Sequence, residues 1–510
     1  MSLIKKLAGE TAIYGLSTII GRVLNYLLVP LYTRIFLTAE YGIVAELYAY
    51  VGFLSVIFIY RMETAFFRYG TEKENRQKAY STALTSLFGS TLFFVAALLL
   101  LSQPIANALE YPDQQKYIIW FAFIIGFDAL AALPFARLRL ENKALRFAVI
   151  KLINIGLNIG INLFFLLLCP WLVTKGYEGI YKIYNPELGI GYIFIANLVA
   201  SAVTILLLSP YYFSERQNSK GITRRVPVFL NGLFDRALWK KMLFYAGPLV
   251  IVGFAGIINE MLDRGLLKQL LDGDLDFRTG QIGIYSANYK IAMLITLFTT
   301  AFTYAAEPFF FSNAKREDAQ KIYATVAQLF TAIACLGFVG ILLYIDIFKY
   351  FVGEEFRSGL SVVPILLLAN ICLGLYYNLA VWFKLTDRTI MGAYISGGGA
   401  IITIILNIIL IPKIGYIGSA WTTLFCYSTM VIASYFLGQK FYPVPYKTGR
   451  ILLYILLAMF VYGISIPVRT YFGPGSIMVF VSATVLLLTY LSILCALEKE
   501  HVMAFVRNRN

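Results

Sequence analysis

Residues 62–74 read METAFFRYGTEKE, and residues 305–318 read AAEPFFFSNAKRED. In each phrase a glutamate precedes a run of phenylalanines and then a burst of charge. A long apolar run from Ile291 to Ala306 leads into the second. One phrase occurring twice, each time where an apolar stretch meets charge, predicts two related halves. Other pairs agree. IKKL at 4–7 answers WKKM at 239–242, an offset of 235. YGIVAELY at 41–48 answers IGIYSANY at 282–289, an offset of 241 that aligns Gly42 with Gly283 and Tyr48 with Tyr289. Leu157-Asn158-Ile159 answers Leu406-Asn407-Ile408, an offset of 249. The offsets rise smoothly, as a duplicated unit with slightly different loops would give. On this alignment Glu63 answers Glu307 after a three-residue slip.

The chain has 510 residues, 59% of them hydrophobic and only 14% charged. Soluble domains run nearer half apolar and a quarter charged, so a polytopic membrane protein is expected. Fourteen apolar stretches reach bilayer-crossing length: 11–36, 42–68, 79–103, 117–136, 147–169, 189–212, 240–270, 283–310, 322–345, 359–383, 390–411, 415–438, 451–468 and 476–497. Their length predicts helices, since barrel strands alternate over about ten residues. The first stretch carries Arg22 and no small-residue cleavage site, so it is expected to be a retained span and not a signal peptide.

Lys and Arg choose the orientation. With fourteen spans, one set of loops carries 27 of these cations and the opposite set 8. That bias places both termini in the cytoplasm. It also accounts for the net charge of +15 through basic loops beside anionic headgroups, without nucleic acid. The expected organisation is an N-terminal lobe at 1–215 (spans one to six), a cytoplasmic connector at 216–239, a second lobe at 240–447 (spans seven to twelve), and two extra spans with a cytoplasmic tail at 448–510. An even number of helices per half makes the two lobes parallel repeats, expected to face one another across a central cavity.

The five cysteines lie in apolar surroundings without CxxC spacing, so neither a metal site nor a disulfide framework is indicated. The single histidine, His501, lies in the tail, and no GxxxxGK[ST] loop occurs. No catalytic residue and no cofactor are therefore assigned. Ionisable groups at depth carry the functional expectations, because hydrocarbon is costly for them. Arg22 and Asp128 fall near mid-depth, as a structural pair or as cavity groups. Lys290 lies seven residues into its span, roughly 10 Å deep. Arg61 and Arg68 approach the inner boundary, where Arg68 can snorkel. Glu260 and Arg264 are four apart on one helix face and can pair. Asn154, Asn158 and Asn162 form a stripe, either glue between helices or a sugar-contacting wall. Glu63 and Glu307 sit roughly 30–36 Å from the outer side along their helices, either as solvated interfacial groups or as gating residues. Pro308 removes a backbone donor and can bend the helix beside Glu307.

PLYTRIFLTAEYG at 30–42 resembles the polysaccharide-transporter family, through Pro30, Thr33, Arg34, Glu40, Tyr41 and Gly42. LNIILIPKIGYIGSAWTT at 406–423 is similar to a signature of the wider multidrug/oligosaccharidyl-lipid/polysaccharide exporter superfamily, and AAEPFFF resembles a phrase of bacterial oligosaccharide flippases. The resemblance implies a multi-pass protein of the bacterial cytoplasmic membrane. Its expected action is to move a polyprenyl-diphosphate-linked oligosaccharide to the outer leaflet by alternating access. Membrane lipids and polysaccharide polymerase or assembly proteins are the implied partners. Arg22, Arg61, Lys290, Arg264 and Asn158 are the candidate headgroup contacts, and Asp128, Glu63, Glu307 and Pro308 the candidate coupling or gating residues. With the inside negative, a diphosphate moved outward releases roughly 4–5 kcal/mol per 100 mV, so direction needs no ATP. Coupling to H+ or Na+ is a further expectation. The rivals are a drug/cation antiporter of the same superfamily and a membrane polysaccharide polymerase.

Overall fold

A computed structural model of the chain describes residues 19–21, 23–217, 223–314, 316–386 and 388–499. Among them are 13 helices long and apolar enough to cross a membrane, the first being Thr38–Tyr69 and the last Ile477–Leu497. The protein is a multi-pass, all-α membrane protein, as expected. Helices satisfy every backbone group internally, which hydrocarbon requires. The expected span 11–36 is described from residue 19 on, apart from position 22, and includes the helix Val29–Ile35; His501 lies outside the described residues. Most other spans exceed their expected limits by a few residues; the helix expected at 283–310 runs from Leu275 to Asn313. One departure from helix lies in the connector, where Phe213–Gln217 and Thr223–Pro227 pair as an antiparallel hairpin, Phe213 opposite Pro227. The connector was expected only to be polar, and the β-branched and extended residues at its ends give it a sheet instead.

The helices form two compact units. One holds Ile43–Gly265 and Asp274–Asp276; the other holds Val29–Gly42, Leu266–Gly273 and Phe277 onward.

In the first unit, the phrase METAFFRY forms a short helix of its own, Met62–Tyr69. The span leading into it, Thr38–Ile59, stops at Tyr60 and Arg61, which take positive φ values of 34° and 56°. The expected span at 42–68 lies within the single candidate span Thr38–Tyr69, which carries this break at residues 60 and 61. The break turns Tyr60 so that its hydroxyl meets Ser86 Oγ at 2.8 Å. Met62, Ala65 and Phe66 are fully buried with Tyr80, Leu84 and Met242. Arginines cover the rings at this basic end: Arg137 lies 4.6 Å from the Tyr80 ring, Arg139 4.7 Å from Phe67, and Arg68 4.4 Å from Tyr245. Such stacking keeps each guanidinium in a polar zone while its stem covers apolar surface. The connector is fastened to the helix Lys73–Leu100. Ser81 Oγ bonds Val228 O and Asn231 Oδ1, Trp239 Nε1 donates to Ser86 Oγ at 2.7 Å, and Lys78 pairs with Asp235 at 2.6 Å. The bond from Lys78 holds the Asp235 carboxyl below the usual carboxylate range.

In the second unit, the 30–42 signature is structural throughout. Thr33 Oγ1 donates to Val29 O and accepts from Gly353 N at 3.0 Å. Arg34 donates to Pro30 O and Tyr350 O. Glu40 accepts from Leu37 N at 2.9 Å, in front of the next helix. Tyr41 meets Phe356 edge-on at 5.7 Å. Gly42 and Gly283, aligned by the repeat, sit at one helix crossing. A Cβ on Gly42 would lie 1.8 Å from Thr279 O, and one on Gly283 2.0 Å from Thr38 O. The 406–423 signature closes a turn: Gly415 has φ +59° between the helices Thr389–Ile414 and Tyr416–Phe441. Only glycine takes that conformation without strain.

The last two helices, Thr448–Phe472 and Ile477–Leu497, are tied to Ala319–Leu343 and its following turn at both ends. At the basic end, buried Glu498 accepts from Tyr454 Oη and Gln328 Nε2, with Arg450 at 3.8 Å. At the other end, buried Asp346 pairs with Lys349 at 3.0 Å and Arg469 at 2.9 Å. Burial alone would raise the Asp346 pKa, but Arg469 and Lys349 outweigh it and hold the carboxyl below its usual range.

Candidate functional site

The first unit carries a polar cluster at mid-span. Asp128 lies in the helix Gln115–Leu140 and accepts from Ser201 Oγ, on Gly191–Leu208, at 2.8 Å. Lys151, on Ala144–Leu163, attracts Asp128 electrostatically and rests its ammonium 4.3 Å from the Phe135 ring. One turn on, Asn154 Nδ2 donates to Thr204 Oγ1 at 2.9 Å, and Asn197 Nδ2 donates to Tyr48 Oη at 3.0 Å. Four helices thus contribute polar groups to a zone that runs from Asn197 to Thr204, about 10 Å along Gly191–Leu208. Asp128 is nonetheless exposed in the protein surface. An ionisable group at mid-span is costly in hydrocarbon and is expected to face a cavity or a partner.

The asparagine stripe divides. Asn154 bonds across to the next helix, the part of a glue residue. Asn162 is buried and donates to Asn158 O and Oδ1 along its own helix. Asn158 itself is half-buried.

At the helix break, Arg61 and Glu63 approach within 4.0 Å, with side-chain exposures of 43% and 20%. The guanidinium lies over Gly253, where a Cβ would come within 3.0 Å of Nη2. Gly253 therefore leaves the room that Arg61 fills.

In the second unit, Glu307 pairs with Lys384 at 2.6 Å. Both line a small cavity of about 20 Å³ with Thr303, Tyr377 and Asn378. The Oδ1 of Asn378 is buried without a partner among the described residues. The helix runs on through position 308 to Asn313; the Pro308 side chain lies outside the described residues. The glutamates that the repeat equates are thus held differently, one after a break and one on a continuous helix.

Of the remaining candidates, Arg264 and Lys290 are among the described residues. Arg264 is buried, bonded to Asp263 Oδ1 at 2.7 Å and to Glu260 O. Its acid is the neighbour at 263 and not the Glu260 carboxylate that helix spacing suggested. Lys290 is half-buried on Leu275–Asn313. Arg22 lies outside the described residues. Asp128 meets Ser201 and Lys151.

The model of a family described as polysaccharide biosynthesis protein matches residues 7–314, more than half the chain. The chain belongs to that family. No curated protein matches. Among solved structures, this family member is similar to "Lipid II flippase MurJ, inward closed conformation", with TM-score 0.69, 16% identity, and 96% and 99% of the two chains covered. It is also similar to the MATE multidrug transporter DinF-BH, with TM-score 0.59, 16% identity and coverage of 87% and 97%. A third likeness is to the Vibrio cholerae MATE transporter VcmN, with TM-score 0.55, 14% identity and coverage of 86% and 97%. At these identities the likeness is one of fold, and it is the fold of transporters.

Two residues of the polysaccharide biosynthesis protein escaped the sequence reading. Lys151 is a cation within an apolar span, the same signal that singled out Arg22. Glu46 is fully buried and accepts from Tyr111 Oη at 2.5 Å and Tyr50 Oη at 3.2 Å. Its signal was a carboxylate within the apolar run that follows Gly42.

Proposed function

We propose that this polysaccharide biosynthesis protein is a flippase for polyprenyl-diphosphate-linked oligosaccharides. It would carry them from the inner to the outer leaflet of a bacterial cytoplasmic membrane by alternating access, with both termini in the cytoplasm. The observation that carries the reading is the exposed Asp128–Lys151 cluster at mid-span in a chain of this family. A drug exporter and a lipid flippase share this fold; a polysaccharide biosynthesis family favours a cargo with sugar hydroxyls, and cations within the spans suit a phosphate beside them. Lys151, Arg61, Lys290 and Arg22 are the cations assigned to the phosphates, which take charge-assisted bonds. Asn158 is assigned to sugar hydroxyls. Arg264, committed to Asp263, is assigned to structure. Asp128 is the coupling candidate for H+ or Na+, because Ser201 occupies one of its oxygens and leaves the other for an ion. Glu63 and Glu307, with Pro308 beside the latter, are the gating candidates at the basic end.

The test is a gene deletion with mass-spectrometric profiling of polyprenyl-linked oligosaccharides. One complete lipid-linked repeat unit should accumulate, and wild type should clear it. Lys151→Ala, Asp128→Asn and Arg22→Ala should each fail to clear it while reaching the membrane at normal levels. The MATE-like fold supports one second reading, a drug/cation antiporter. Unchanged lipid-linked glycans with lowered drug tolerance would select it. Transport in vesicles indifferent to both pH and sodium gradients would remove the coupling role of Asp128.

A further inference from the structure

At the basic end of the first unit, three cations close on one ring. Tyr211 follows the helix Gly191–Leu208 and is buried. Arg137, near the end of Gln115–Leu140, has its guanidinium carbon 5.8 Å from the centre of that ring. Lys143, in the turn that follows, has its ammonium at 5.7 Å, and Arg146, in the first turn of Ala144–Leu163, its guanidinium carbon at 5.1 Å. One acid stands among them. Glu141 takes Arg137 Nε on one carboxylate oxygen and Lys143 Nζ on the other, each at 2.6 Å. Burial alone would raise the Glu141 pKa, but the bonds from Lys143 and Arg137 outweigh it and hold the carboxyl below its usual range. Glu141 therefore stays charged, and three cations against one acid leave two positive charges in excess. Arg146 makes no hydrogen bond or ion pair among the described residues. Both it and Lys143 are exposed.

Basic residues are common where a span ends, and scattered ones need only water or headgroups in general. These three are not scattered. Glu141 fixes two of them, and the Tyr211 ring lies under all three, so their donors are oriented before any ligand arrives. Phosphate oxygens take charge-assisted bonds from guanidinium and ammonium groups alike. We propose that Arg137, Lys143 and Arg146 form a receptor for the phosphate of a membrane lipid. None of the three belongs to the cations assigned to the cargo above.

Two lipids bring such a phosphate, the polyprenyl carrier and a phospholipid. Two observations favour the carrier. The first is charge. A phosphodiester headgroup brings one negative charge and a diphosphate bridge about two, which matches the excess at Tyr211. The second is position. Tyr211, Phe147 and Phe135 belong to one buried cluster, and Lys151 rests on Phe135 at 4.3 Å. On their common helix Arg146 stands about 7.5 Å nearer the basic end than Lys151. One aromatic floor therefore joins the receptor to the mid-span cation. In the flippase reading this end faces the cytoplasm, where the cargo starts, and the receptor is its loading site. The loading role rests on that reading; the phosphate receptor does not.

The test uses the full chain in nanodiscs of zwitterionic phosphatidylcholine. The probe is a polyprenyl diphosphate with a diazirine beside the diphosphate. After photolysis, peptides from 137–147 should carry the label. Unlabelled polyprenyl diphosphate should compete, and polyprenol, which has the tail without the phosphates, should not. The double variant Lys143→Gln with Arg146→Gln should weaken labelling about tenfold or more. Arg146→Lys, which keeps the charge, should weaken it less than Arg146→Gln. These side chains are exposed, so all three variants should melt near wild type. Arg139→Gln removes a cation of the same end that stacks on Phe67 instead, and should change labelling less than about twofold. An equal loss in Arg139→Gln means a diffuse field of basic loops and overturns the receptor, as does displacement by polyprenol. Phosphatidylglycerol displacing the probe as well as the carrier does keeps the receptor and makes phospholipid its occupant. If the double variant takes the label and clears cargo like wild type, the receptor falls and the flippase reading stands. If the deletion strain accumulates no lipid-linked glycan, the flippase reading falls, and labelling of the purified chain decides the receptor separately.

Discussion

Arg61 adopts φ 56°, a left-handed conformation that costs an ordinary residue about 1–2 kcal/mol. Arg61→Gly removes both that strain and the guanidinium. Thermal melting of the variant should hold or rise, while clearance of lipid-linked cargo falls; loss of both together would mark Arg61 as a structural group only. Asp346 gives a pH-dependent prediction. Its folded pKa lies below the unfolded value near about 4, so its contribution is complete above that value and drains away as pH falls below it. Asp346→Asn should lose about 3 kcal/mol at neutral pH, because Arg469 keeps its charge in a partly buried place. Melting curves of variant and wild type should draw together as pH falls from about 4 through the lowered folded pKa; a gap that stays constant as pH falls contradicts the pairing. Asp128, Glu63 and Glu307 could be singled out from the sequence, since a charge in or beside an apolar run announces itself. Partners were not. Helical rotation decides whether Asp128 meets Ser201 or a cation from another span, and hydropathy carries no rotation. The pairing of Arg264 with Asp263 failed the i,i+4 expectation for the same reason: tertiary surroundings choose the rotamer.

Helix crossings give a contrast of sign. A Cβ on Gly42 would meet a backbone carbonyl at 1.8 Å, which no side-chain rotation relieves, so Gly42→Ala should lower the melting temperature and block transport. Gly89 has open space around its missing Cβ, and Gly89→Ala should leave stability unchanged or raise it by up to about 1 kcal/mol. Equal melting of the two variants would contradict the crossing. The surface pair of Glu307 and Lys384, 46% and 41% exposed, is worth only about 0–1 kcal/mol. Lys384→Ala should therefore melt like wild type, and a changed transport rate would then belong to gating. The helices themselves were legible because apolar runs of this length admit no other structure in hydrocarbon. Breaks and hairpins were not. Tyr60 and Arg61 are poor turn formers, and their conformation follows from contacts with Ser86 and Gly253 that are distant in sequence. The signature residues Thr33, Arg34 and Gly42 were legible as a motif, but only the fold reveals that they bond backbone and close a crossing.

For the molecule as a whole, a diphosphate cargo predicts electrical bias. In vesicles with the cytoplasmic side negative by 100 mV, the outward leaflet ratio should shift by roughly 4–5 kcal/mol, about a thousandfold. Collapsing the potential should erase that shift, and a ratio indifferent to potential would exclude a charged cargo moving uncompensated. The 27 to 8 division of cations predicts that reporters fused at both termini read cytoplasmic. The duplicated plan is an expectation that pairs such as Gly42 and Gly283 suggest, whereas the different surroundings of Glu63 and Glu307 were not legible, because they depend on neighbours distant in sequence. The clamp on the final two helices bears on how the protein is made. Asp346 and Gln328 leave the ribosome long before Arg469, Tyr454 and Glu498 are synthesised. Until those residues are made, Gln328 within its span and Asp346 just beyond its end lack these partners. A chain cut short at residue 447 should therefore melt below the whole one, so the last stretch to be synthesised locks what came before it.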